Sequence, residues 1–172
     1  TALSGPAGGV LGALAVGGRN NCTRLLTLDM GGTSTDISVV INTPSPTDEG
    51  MVGGHHLRMP LLPIETIGAG GGSIASIDDG GALRVGPESA GAIPGPACYG
   101  NTDFPTQPTV CDAHVVLGRI DALLNGSYPL DTNAAHTALA TIGRTLSCNV
   151  EEVAQAIINI TNANIVRASK RR

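Results

Sequence analysis

Short apolar runs separated by glycine-rich turns fill the first two thirds of the chain, and apolar positions at helical spacing fill the last third. Residues 25–28 and 37–41 are compact apolar runs and read as paired strands around a tight turn. Ahead of them, Ser4 is placed to cap a helix reaching about Val16, with Pro6 in the first turn, where a missing N–H does little harm. Its glycines and alanines suit close packing against another backbone. Residues 43–54 are polar, with Pro44 and Pro46, and predict an exposed turn region. Residues 57–59 and 61–67 read as short strands that Pro60 and Pro63 confine to edges. Residues 74–77 and 82–85 form a hairpin around Asp78-Asp79-Gly80-Gly81. Residues 86–108 are proline- and glycine-rich and predict a long loop, a feature uncommon unless it has a task. Thr109 with Asp112 resembles a capping pattern before a helix over 113–120. Asp131 is placed to cap a helix over 132–146. Ser147 or Asn149 starts a longer one, with Val153, Ile157 and Ile160 on one face and Ala154, Ile158, Thr161 and Ile165 beside them. The expectation is an α/β unit, strands first and helices later.

Composition sharpens this picture in a few places. At 172 residues the chain is one domain or slightly more, long enough for a real core. One Phe, two Tyr and no Trp mean an aliphatic core, and 24 glycines with 11 prolines mean long ordered loops. A net charge of −4 gives no general attraction to nucleic acid or an anionic membrane, so neither is expected as a partner. The basic residues Arg167, Lys170, Arg171 and Arg172 read as the cationic last turn of a helix. Cys22, Cys98, Cys111 and Cys148 show no metal-like or paired spacing, so reduced, unpaired thiols in the cytoplasm are expected. No charged-then-apolar leader and no apolar run near 18 residues is present. Starting at Thr1 and stopping within a helical pattern, the sequence reads as an excised fragment or processed product.

The chemistry concentrates in Asp29-Met30-Gly31-Gly32-Thr33-Ser34-Thr35-Asp36. Glycine lets a bulky anion come close to the backbone, and successive N–H groups in such a turn form a concave anion site. Thr33, Ser34 and Thr35 add hydroxyls, and Asp29 and Asp36 are suited to a hydrated divalent cation that offsets phosphate charge. A hairpin with a small-residue turn is the plainer alternative. Other motifs lead elsewhere. The run Gly68-Ala69-Gly70-Gly71-Gly72-Ser73 is no Walker loop, because no Lys-Ser or Lys-Thr follows, and no Rossmann fingerprint, because Ser73 stands at the third glycine. It reads either as a tight backbone crossing or as the lining of a cleft. His55 and His56 point to opposite strand faces and are poorly placed to share a metal. His114 and His136 read as helix-surface or packed residues, and Asp112 as a cap in preference to a cleft carboxylate. A Gly-x-Ser-x-Gly nucleophile turn is absent.

The Asp-x-Gly-Gly-Thr-x-Thr-Asp order resembles the phosphate hairpin of the actin-like ATPase superfamily. Four further motifs narrow the resemblance: Ser4-Gly5-Pro6-Ala7-Gly8-Gly9-Val10, the Gly68 to Ala75 run, Gly86-Pro87-Glu88-Ser89-Ala90-Gly91, and Pro94-Gly95-Pro96-Ala97-Cys98-Tyr99-Gly100. Over nearly the whole length the chain is similar to the hydantoinase A/oxoprolinase family. That resemblance implies one lobe of an actin-like ATPase (ribonuclease H-like) fold: α/β, an antiparallel or mixed sheet with helices, incomplete. Within the family domain, residues 1–108 are expected to hold the phosphate hairpin and β-rich part, and 109–172 the helical part. The helix before the hairpin is expected to help join two lobes.

The resemblance also implies ATP and Mg²⁺ as cofactors of the full-length protein. It assigns Gly31, Gly32 and Thr33 to the β- and γ-phosphates, with Ser34, Thr35, Gly70, Gly71 and Gly72 also nucleotide-facing. Asp29 would orient the attacking group or a Mg²⁺-bound water, with Asp36 or Thr35 in support. Glu65 departs from the pattern, since many members carry other residues there, including His, and no catalytic use is assigned to it. The implied reaction is ATP-dependent opening of a cyclic amide, of 5-oxoproline or hydantoin type, by phosphorylating its oxygen. An acetone-type ketone carboxylase subunit and a non-catalytic nucleotide-binding or assembly module are the alternatives. A second large subunit or domain, hydantoinase B-like, is the expected partner. The superfamily's other phosphate hairpin and its adenosine motif are absent from this sequence, so the piece alone is expected to show little or no ATPase activity.

Overall fold

The computed structural model describes residues 4–42, 50–52, 55–57 and 62–170, with the backbone alone for residues 4, 50–52 and 55–57. The chain divides into two compact units, Thr1–Asp29 with Thr35–Ile67 and Arg167–Arg172, and Met30–Ser34 with Gly68–Val166.

The first unit opens with helix α1, Ser4–Arg19, a turn longer than its apolar pattern predicted. The capping position ahead of it lies outside the described residues. Its glycines do what close packing needs: a Cβ on Gly17 would lie 2.8 Å from Leu25 Cδ1. Leu25 belongs to strand β1, Arg24–Met30, which the turn at 31–34 joins to β2, Thr35–Ile41. Strands β3, Gly50–Val52, and β4, His55–Leu57, pair antiparallel by themselves. The expected exposed turn region at 43–54 therefore contains strand at 50–52, and the rest of it lies outside the described residues. Of the two proline-flanked strands predicted next, residues 58–61 lie outside the described residues, and β5, Glu65–Ile67, is present. It pairs antiparallel with β2, giving the order β1-β2-β5. The central strand is the buried one. Ile37 and Val40 supply its apolar contacts, while the buried Ser38 hydroxyl donates to the Pro63 carbonyl at 3.0 Å. That bond removes most of the penalty for a hydroxyl out of water.

The second unit contains the larger core. Strands β6, Ser73–Ile77, and β7, Leu83–Ser89, form the hairpin expected from the Asp-Asp-Gly-Gly turn. Asp78 Oδ1 accepts from the N–H groups of Gly80 and Ala82, and Gly81 takes φ +80°, a conformation open to glycine. Strand β7 runs past the point where Gly86-Pro87 was expected to end it. The ladder steps from Ala75↔Val85 to Ser73↔Ser89, so a bulge takes up the proline that lacks a donor. The remainder of the expected loop carries one 3₁₀ turn, Ala97–Tyr99.

Helix α2, Val110–Val116, starts at the predicted Thr109/Asp112 capping box, and starts and stops earlier than expected. Gly118, at φ +64°, lies just beyond its end. A two-residue pair follows, β8, Ala122–Leu123, with β9, Tyr128–Pro129. Asp131 caps α3, Thr132–Leu146, by accepting from Ala134 N–H. Asn149 opens α4, Val150–Ser169, through reciprocal bonds with Glu152. Val110, Leu139, Val153 and Ile157 meet in the core beneath Ala75 and Val85. Each buried Val, Leu or Ile side chain contributes roughly 1.5–3 kcal/mol. Among the described residues, no helix is long and apolar enough to cross a membrane.

Candidate functional site

The predicted phosphate turn lies between β1 and β2, with Gly31, Gly32 and Thr33 exposed and Ser34 half-buried. Two features fix its shape. Gly31 N–H donates to Ser34 O at 2.9 Å, closing the turn on itself. Then Gly71 N–H donates to Gly31 O at 3.0 Å and Gly72 N–H to Gly32 O at 2.6 Å, so a glycine strap is seated on the turn's carbonyl side. A Cβ on Gly70 would lie 2.7 Å from Gly32 C and O and Thr33 N, and one on Gly72 2.9 Å from Gly32 O. The run makes a tight backbone crossing, and the other member of that crossing is the turn itself.

With two carbonyls occupied, the turn keeps its donors. Among the described residues, no hydrogen bond uses the N–H of Gly32, Thr33 or Ser34, or the hydroxyls of Thr33 and Ser34. Three consecutive exposed or half-exposed amides on a fixed backbone are the arrangement an anion-binding nest requires. The strap is anchored in turn. Ser73 Oγ accepts from Gly70 N–H at 2.8 Å, Ala90 N–H donates to Gly72 O at 2.8 Å, and Cys111 N–H donates to Gly71 O at 2.7 Å.

Asp29, Thr35 and Asp36 belong to the first unit. Asp29 is exposed and Asp36 half-buried, and both line a cleft of about 330 Å³ between α1 and β1, together with Pro6, Gly9, Val10 and Leu28. Gly9 leaves room there, since a Cβ on it would sit 3.9 Å from Asp29 Oδ2. Asp36 Oδ1 accepts from the Thr66 hydroxyl. Thr35 is fully buried, paired opposite Ile67. No group of three or more His, Cys, Asp or Glu able to hold a metal occurs among the described residues.

Asp112, read from the sequence as a cap, is one and is also the centre of a second polar cluster that the sequence did not reveal. Fully buried, its carboxyl group accepts from Thr109 N–H and Oγ1–H at 2.8 Å each, Cys98 N–H at 2.7 Å and Ala97 N–H at 3.2 Å. The expected cap is therefore also the anchor of the 97–99 turn. Its apolar neighbours in sequence were the available hint. Cys98 and Cys111 lie beside it, buried, with sulfurs 3.8 Å apart. His55 and His56 lie on β4 with side chains outside the described residues, and His114 and His136 are half-buried on α2 and α3.

The fold is part of an actin-like ATPase domain, α/β with small antiparallel sheets and helices. The nucleotide-free structure of acetone carboxylase superimposes on 98% of the chain with a TM-score of 0.86 at 29% identity, and the chain covers 24% of that protein. The chain belongs to the hydantoinase/oxoprolinase family, whose model matches residues 1–171. It is 41% identical to the caprolactamase subunit alpha of Pseudomonas jessenii over 98% of this chain and 24% of that protein. With 5-oxoprolinase 1 of Arabidopsis thaliana it shares 34% identity over 96% of this chain and 14% of that protein. It thus spans a quarter or less of these relatives.

Proposed function

We propose that this chain is the phosphate-hairpin portion of a larger ATP-dependent hydrolase that opens cyclic amides of the 5-oxoproline or hydantoin type. One observation carries the reading: the turn at 31–34 has the carbonyls of Gly31 and Gly32 tied to the glycine strap, while the amides of Gly32, Thr33 and Ser34 make no hydrogen bond among the described residues. In the proposed site, Gly31, Gly32, Thr33 and Ser34 contact the β- and γ-phosphates, and Gly70, Gly71 and Gly72 hold that turn in place. Residues 1–108 supply this hairpin and its strap, and 109–172 the helical support. Asp29 orients the attacking group, and Asp36, restrained by Thr66, assists. A Mg²⁺ held by Asp29 through water would neutralise charge on the phosphates. Amide resonance makes ring opening difficult, and phosphorylating the oxygen turns it into a leaving group. The protein's part is positioning and charge stabilisation.

The likeness to acetone carboxylase supports a second reading, a ketone carboxylase subunit with the same phosphate chemistry. A partner subunit of hydantoinase B type and a cytoplasmic setting belong to both readings. ADP release by the full-length parent, with and without the partner, stimulated by lactams or by ketones, separates the two. Asp29→Asn in that parent should abolish substrate-dependent ATP hydrolysis. Unchanged hydrolysis would point to a non-catalytic module instead.

A further inference from the structure

The Cys98–Cys111 pair has no part in the reading above, yet it touches the strap that the reading depends on. The two residues are 13 apart in sequence and come from different elements, the 97–99 turn and the first turn of α2, which Asp112 ties together. Their sulfurs are 3.8 Å apart, with the Cys98 thiol donating to Cys111. Both residues are buried, Cys98 fully and Cys111 with 7% of its surface exposed. The donated hydrogen bond holds the Cys111 thiol below its ordinary range. The same bond, together with burial, pushes Cys98 up. Cys111 is thus the nucleophile and Cys98 the resolving thiol. Cys111 N–H is the donor to Gly71 O, and Gly71 N–H is the donor to Gly31 O. Two backbone hydrogen bonds separate the thiols from the phosphate turn.

We propose that Cys98 and Cys111 form a redox-responsive dithiol whose closure to a disulfide unseats the glycine strap and so weakens phosphate binding at the 31–34 turn. The last step rests on the phosphate reading; the first two do not. The oxidant is a hydroperoxide. The Cys111 thiolate attacks a peroxide oxygen, the O–O bond breaks, and with hydrogen peroxide hydroxide leaves and takes up the proton that the Cys111 thiol released, forming the first water and leaving a sulfenic acid. Cys98 sulfur then attacks Cys111 sulfur, the S–O bond breaks, and the Cys98 proton departs with hydroxide as the second water. Two electrons pass from the sulfurs to the peroxide, and a dithiol reductant reverses the change. A disulfide needs its sulfurs about 2.05 Å apart. In the proposed device, bringing the sulfurs in from 3.8 Å shifts the start of α2, and with it Cys111 N–H relative to Gly71 O.

The test treats the full-length parent with hydrogen peroxide and then with dithiothreitol. Three readouts are taken: peptide mass mapping, amide hydrogen exchange over 31–34 and 70–72, and nucleotide affinity. The expected result is a Cys98–Cys111 linked peptide, faster exchange at Gly71 and Gly72, and a roughly tenfold weaker nucleotide Kd, all reversed by reductant. Cys111→Ser and, separately, Cys98→Ser should each abolish the linkage and the peroxide effect. Oxidation of the exposed Cys22 and Cys148 with no 98–111 linkage would overturn the proposal. So would a linkage that leaves exchange at Gly71 and Gly72 unchanged. If the linkage and faster exchange occur but the reduced parent binds no nucleotide, the dithiol device stands and the phosphate reading fails.

Discussion

Replacing Gly70 with alanine adds one methyl group at a crowded backbone crossing in the second unit. The new Cβ would lie 2.7 Å from Gly32 C, Gly32 O and Thr33 N, all backbone atoms that have no rotamer to yield. Carbon contacts are comfortable at about 3.5–4 Å, so turn and strap must separate by roughly 0.8 Å or more. Overpacking of this kind costs about 1–3 kcal/mol. The Gly71–Gly31 and Gly72–Gly32 hydrogen bonds stretch or break with it, at about 0.5–1.5 kcal/mol each. Since a misplacement near 1 Å can lower rates about 100-fold, kcat/KM for substrate-dependent ADP release by the parent should fall roughly 10- to 100-fold. Gly12→Ala is the control: it lies within α1 with nothing inside 4 Å of its Cβ position. It should leave kcat/KM unchanged and gain about 0.5–1 kcal/mol from helix propensity. A Gly70→Ala parent with kcat/KM and melting temperature both near the unsubstituted values would refute the crossing as the element that shapes the turn.

Other consequences can be checked independently. Asp112→Asn places an amide where four donors converge, so at least one N–H is orphaned at roughly 1–3 kcal/mol, read as a lower urea midpoint. Leu139→Ala, at a fully buried site facing Val153 and Ile157, should cost about 2–5 kcal/mol by the same measurement. Burial, with Arg119 nearby, holds the His114 imidazole below its ordinary 6.5. Between that depressed value and 6.5 the unfolded state binds more protons than the folded one. The associated stability is therefore complete above pH 6.5 and is lost as pH falls below it. His114→Gln should flatten this slope in urea midpoints taken from about pH 7.5 to about pH 5.5.

Local chemistry made much of the fold readable. The Thr109/Asp112 box, the Asp131 cap and the Asp78 turn each act over a few residues, and each is where the sequence placed it. Contacts across long separations were not readable. The bulge that carries β7 through Gly86-Pro87 depends on pairing with Ser73, and proline alone argued for a strand end. The strap at 70–72 could be suspected of a close crossing, but nothing local said that its other member is the turn some forty residues earlier. Nor does spacing reveal that Cys98 and Cys111 meet, because Asp112 brings them together through amides that lie 14 and 15 residues away from it.

The central claim is that the amides of Gly32, Thr33 and Ser34 grip the terminal phosphates of a nucleoside triphosphate. A structure of the full-length parent with a non-hydrolysable ATP analogue tests it most directly. The account predicts β- and γ-phosphate oxygens within hydrogen-bond distance of those amides, with Gly71 and Gly72 still bonded to the turn's carbonyls. Phosphates bound elsewhere, with these three amides facing solvent, would contradict it.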